Sequence, residues 1–172
     1  MQDKWHVVWD IEANNLLNSD TIDYTTVPYK LKPSFKLHCI VVDVLKADGT
    51  TWLVAFHDGP KYVFDGQAIL EVIEGVDYAL PAGYEPMEYI HRPLSSFPAF
   101  VAALPEGSTI VGHNIINYDL LATKLYYGIP FEIERDMGMD CPLGDDTWNG
   151  KPVVFDDTLV RAKTLNPDRF GG

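Results

Sequence analysis

Two cysteines in 172 residues, Cys39 and Cys141, stand in unrelated contexts and form no C-x-x-C pair. That favours free thiols in a reducing compartment over a disulfide framework. No apolar run approaches the ~20 residues of a membrane-spanning helix. Met1-Gln2-Asp3-Lys4 followed by a short strand is not a secretory signal. Basic residues are scarce: 13 Lys and Arg face 25 Asp and Glu, for a net charge of −12. Affinity for a polyanion comes mainly from Lys and Arg neutralising phosphates, so a broad nucleic-acid surface is excluded. Contact with DNA or RNA would have to run through metal ions, a small local groove or a partner. Repeats, low-complexity tracts and linkers are also missing. What remains, 47% hydrophobic and 22% charged residues, is ordinary for one globular domain over 1–172 with a sizeable core.

Along the chain, Val7 to Glu12 reads as a buried strand, and 14–33, with Pro28 and Pro33, as a surface excursion. Leu37 to Leu45 and Thr51 to Phe56 read as an antiparallel pair joined through Asp48-Gly49. Asp65 to Gly75 has the period of a short helix, and Val76 to Pro93 looks irregular. Ser95 or Ser96 is placed to N-cap a helix reaching Leu104. A short strand, Thr109 to Val111, precedes an amphipathic helix from Tyr118 to Tyr127 that Gly128 stops. Phe131 to Gly150 is loop-like, Val153 to Phe155 a strand, and a last helix starts at Asp157-Thr158 and runs through Lys163. The expected class is α/β: a mixed sheet with helices on its faces.

Two stretches carry candidate chemistry. Asp10 and Glu12 lie two apart on a strand, so they point to the same face. Paired anions at that distance call for a cation, and oxygen ligands suit Mg²⁺ or Mn²⁺. Far along the chain, Gly112-His113-Asn114-Ile115-Ile116-Asn117-Tyr118-Asp119 leaves a buried strand and opens a helix, with Asp119 in its first turn. Each feature also has a plainer explanation. An isolated Asp-x-Glu fits a strand fraying into a solvated acidic turn. A first-turn Asp suits the helix dipole. Asn114 and His113 fit ordinary loop roles.

Asp10-Ile-Glu12 together with Asn114-x-x-x-Tyr118-Asp119 resembles the first two motifs of the DEDD-type 3′–5′ exonucleases. Asp10 to Asn14, Lys36-Leu37-His38-Cys39, Arg92-Pro93 and Asp157-Thr158-Leu159-Val160 are similar, in the same order, to the amino-terminal proofreading domain of T7-like phage family A DNA polymerases. The resemblance spans nearly the whole chain, with longer excursions around 20–33 and 58–90. It implies an RNase H-like fold and two Mg²⁺ or Mn²⁺ ions astride the 3′-terminal phosphodiester. It implies metal-binding and catalytic roles for Asp10, Glu12 and Asp119. It also implies contact of Asn114, Ala13, Asn14, Leu16 and Leu17 with the single-stranded 3′ end of DNA, where Leu16 and Leu17 are equally well explained as core leucines. Asp157 is expected to N-cap the last helix, and Asp156 to be solvated. A phage-encoded protein of this kind would work in the cytoplasm of an infected bacterium, away from membranes.

The sequence departs from the family in one respect. The third motif, Tyr-x-x-x-Asp or His-x-x-x-x-Asp, which in the family follows the first two, is not found downstream of Asp119. That puts the fourth carboxylate in doubt and suggests a domain truncated at its carboxyl end. Such a domain would be a split-gene product whose partner polymerase polypeptide supplies the motif, a fragment, or a degenerate nuclease kept as a silent interaction subunit of a replication complex. Weak or no activity from the chain alone follows, as does an apolar patch on an uncovered sheet face. An exoribonuclease on the same fold is a further alternative.

Overall fold

The computed structural model describes residues 3–59, 62–64, 69–71, 88–133 and 146–165. In chain order the strands are β1 (His6–Ala13), β2 (Ile22–Asp23), β3 (Lys30–Leu31), β4 (Leu37–Leu45), β5 (Thr51–Phe56), β6 (Tyr62–Phe64), β7 (Ile69–Glu71), β8 (Ile90–Arg92), β9 (Ser108–Gly112), β10 (Phe131–Glu132), β11 (Thr147–Trp148) and β12 (Lys151–Asp157). The helices are α1 (Phe97–Ala103), α2 (Asp119–Tyr127) and α3 (Thr158–Leu165).

One eight-stranded mixed sheet organises the molecule, in the order β10-β11-β12-β9-β1-β4-β5-β8. At its centre β1 pairs antiparallel with β4, and β4 with β5, while β9 runs parallel to β1 and β12 parallel to β9. Along β5-β4-β1-β9-β12 only β4 therefore runs against the others. Alternation along these strands separates two faces. Val7, Trp9 and Ile11 of β1, with Ile40, Val42 and Val44 of β4, point into the core under α1 and α2. Aromatic rings fill it: Trp9 stacks on Phe97 at 5.8 Å and meets Trp148 at 5.0 Å, and Phe97 meets Phe56 edge-on at 5.4 Å. The opposite face carries Val8, Asp10 and Glu12 beside Cys39, Val41, Asp43 and Leu45. It is open enough that Val8 is 47% exposed, Val41 38% and Leu45 47%.

The three long amino-terminal strands, the strand before Gly112 and the helix from Asp119 stand where the hydrophobic pattern put them. Gly128 closes α2 in the left-handed region, at φ 75°. Other expectations need correction. Ile69–Glu71 is a strand paired with Tyr62–Phe64 and not part of a helix; the rest of Asp65 to Gly75 lies outside the described residues. Ile90–Arg92, expected to be irregular, adds a parallel edge strand to β5. Phe131–Glu132 and Thr147–Trp148 pair where a loop was expected, with 134–145 outside the described residues. Ser96 precedes α1, but its side chain makes no capping bond; a 3-10 turn over Leu94–Ser96 and a proline in the first turn start the helix instead. The 14–33 excursion is built around the β2–β3 hairpin.

Candidate functional site

The candidate site forms where β1, β9 and α2 meet. β9 pairs with β1 only as far as Val8↔Val111 and ends at Gly112. A Cβ on Gly112 would lie 2.9 Å from the Trp9 carbonyl oxygen and collide with the Ile115 side chain. Glycine is what lets the chain turn away this close to β1. The loop then reaches α2, whose first residue, Asp119, turns back onto β1. Its Oδ1 accepts a hydrogen bond from the Ile11 N–H at 3.1 Å. A side-chain carboxylate has taken the ladder position that β9 vacated.

Asp119 is 2% exposed. Burial, then the neighbouring charge of Asp10, raise its carboxyl pKa to about 7. Residues far apart in sequence are thus brought near enough for the charge of Asp10 to act on Asp119. Glu12 shares the exposed face with Asp10 and stands opposite Cys39 in the ladder. Burial raises the Cys39 thiol pKa, with Glu12 and Asp10 adding to it. Burial likewise raises Tyr118, helped by Asp119 and Glu12. The Tyr118 hydroxyl donates to the Asn15 carbonyl at 2.7 Å, tying the exit of β1 to the start of α2.

The loop between β9 and α2 is held by a residue outside the motifs. Asp157 is 2% exposed. Its Oδ1 accepts from the N–H of Asn114 at 3.0 Å and of Leu159 at 3.0 Å, with Val160 at 3.3 Å, while Oδ2 accepts from Ile116 at 3.1 Å. It is the expected N-cap of α3 and also a clamp on the loop. Asp156, expected to be solvated, pairs with Arg161. Asn114 sits at φ 62° and accepts a bond from Asn117 through its side-chain oxygen. The Asn14 side chain bridges Ser34 and Lys36. Ala13 follows a register shift at the end of β1. Of the two leucines, Leu17 packs against the core, whereas Leu16 is 72% exposed and no core residue. The Asp157 clamp had only its capping half in sequence. A Thr after Asp signals a helix start, but nothing signals that the loop 43 residues earlier arrives at the same oxygens.

Asp10, Glu12 and Asp119 offer oxygen donors suited to a hard divalent cation. Burial first, and then the adjacent Asp10 carboxylate, disfavour the charged form of Asp119, and a nearby cation would favour it. Among the described residues, no three His, Cys, Asp or Glu side chains are grouped closely enough to hold a metal ion. No family model, curated protein or solved structure matches the chain.

Proposed function

We propose that the chain is the amino-terminal part of a DEDD-type proofreading 3′–5′ exonuclease with an RNase H-like fold, associated with a DNA polymerase. The observation that carries this is the hydrogen bond from the Ile11 N–H, between Asp10 and Glu12, to Asp119, since it joins the two motif stretches at one point. The sheet supports it too: a meander of three strands continues into parallel strands on the other side of β1, with β4 alone reversed. Asp10 and Asp119 would hold a divalent ion between them, and Glu12 a second on the same face. Mg²⁺ or Mn²⁺ would supply charge neutralisation and an activated water at a phosphodiester. The protein's own part is to fix the carboxylates: Ile11 N–H aims Asp119, and Asp157 sets the loop that delivers it.

Asp157 lies close to Asp119 but is not a spare ligand, because its oxygens already accept four backbone N–H groups. A further carboxylate is therefore needed from a partner polypeptide or another segment. The test is incubation of the chain with a 5′-labelled primer and Mn²⁺. Little or no shortening from the 3′ end is expected, with any shortening lost in Asp10→Ala. Robust degradation, or activity that survives Asp10→Ala, would contradict the proposal. The exposed Val8, Val41 and Leu45 favour a second reading, a silent interaction subunit that keeps the fold and lends the open face to a replication partner.

A further inference from the structure

Residues 14–36 carry four of the exposed large hydrophobic side chains. Tyr24 is 51% exposed, Tyr29 53%, Leu16 72% and Val27 96%. The two tyrosine rings meet edge-to-face at 5.1 Å, so each braces the other. This stretch contains three lysines, Lys30, Lys32 and Lys36, against two aspartates, Asp20 and Asp23, in a protein of net charge −12. The Lys32 ammonium is held by the Ser19 carbonyl, while Lys30 and Lys36 are exposed. Asp23 stands opposite Lys30, but its carboxylate accepts from the Thr25 N–H at 2.9 Å and the Thr25 hydroxyl at 2.6 Å.

The segment is anchored to the elements that carry the candidate site. Thr21 is buried and bonds to Leu16, Ser34 to Asp20, and Asn14 and Asn15 both to Ser34. Ile22 is buried and β3 lies against α2, the helix that opens with Asp119. Asn14, whose side chain also binds the Lys36 N–H, is two residues beyond Glu12. Packing does not account for paired aromatic faces and lysines held out from a base fixed to the end of β1 and to α2. Single-stranded nucleic acid is recognised by this combination: stacking platforms for bases and cations for phosphates.

We infer that the β2–β3 hairpin is a guide for a single-stranded 3′ end, with bases stacking on Tyr24 and Tyr29 and Lys30 and Lys36 contacting the backbone. This rests on the nuclease reading and adds to it the local cationic, aromatic surface that an acidic chain needs. Because every base has a stackable face, the guide is sequence-tolerant.

The test uses the full chain with a short oligothymidylate carrying a photoreactive 5-iodouracil near its 3′ end. Crosslinks are expected at Tyr24 or Tyr29. In fluorescence anisotropy, Tyr24→Ala with Tyr29→Ala should weaken binding by about tenfold or more. Tyr24→Phe with Tyr29→Phe should retain it, since the ring and not the hydroxyl stacks. Lys30→Glu with Lys36→Glu should flatten the salt dependence. All four side chains are exposed, so thermal melts should be unchanged. Crosslinks elsewhere with unchanged affinity in the alanine pair would overturn the guide. Mn²⁺ binding without any oligonucleotide binding would overturn it while leaving the metal site standing. Absence of both would remove the nuclease reading and the guide together.

Discussion

A carboxyl group that is 2% exposed beside a second carboxylate is disfavoured in its charged form, and Asp119 is in that position. Its pKa is about 7 in the folded chain against an ordinary 3.8, so the folded state binds the proton more tightly. Stability from this group is therefore greatest at low pH, and falls as pH rises between about 4 and about 7. Asp119→Asn keeps an oxygen for the Ile11 N–H and removes the charge. It should flatten that slope and raise stability at about pH 8 by roughly 1–2 kcal/mol, seen as a higher midpoint in circular-dichroism melts. A variant less stable than wild type at that pH would mean that Asp119 is already charged and satisfied.

At the scale of elements, Asp157 joins three pieces: the end of β12, the start of α3 and the loop that leads to α2. Replacing it by Ala orphans four N–H groups, two in the helix and two in the loop. Asp157→Ala should cost about 3 kcal/mol in chemical denaturation, and Asp157→Asn clearly less. A loss under about 1 kcal/mol would show that water replaces the carboxylate. The elements also divide by how far sequence could reveal them. β1, β4 and β5 are apolar runs rich in valine and isoleucine or aromatic residues, which read as strands, and α2 ends on a glycine in the left-handed region. Ile90–Arg92 has only three residues and no alternation; it is a strand because β5 offers it an edge. Ile69–Glu71 was misread because helical spacing over a short apolar run does not exclude a hairpin partner. In the candidate site, the shared face of Asp10 and Glu12 follows from strand geometry alone. The burial of Asp119 depends on where β9 stops, which only the folded sheet sets.

For the molecule as a whole, two asymmetries stand out. Sheets with parallel strands generally shelter both faces, yet here Val8, Val41 and Leu45 remain exposed opposite the face that α1 and α2 cover. Acidic side chains are threaded through that open face, so whatever meets it must present both apolar and cationic groups. Among the described residues no helix is long and apolar enough to cross a membrane. Charge is the second asymmetry. At −12 the chain as a whole repels nucleic acid, and the lysine-bearing hairpin is a local exception. Under the proposed function, a divalent ion at Asp10 and Asp119 would reduce the repulsion where a phosphodiester would approach. Calorimetric titration with Mn²⁺ at about pH 8, above the Asp119 pKa, tests this most directly. Saturable binding by wild type that disappears in both Asp10→Ala and Asp119→Asn is the predicted result. No binding by the folded wild type, or binding that both variants retain, would contradict the account.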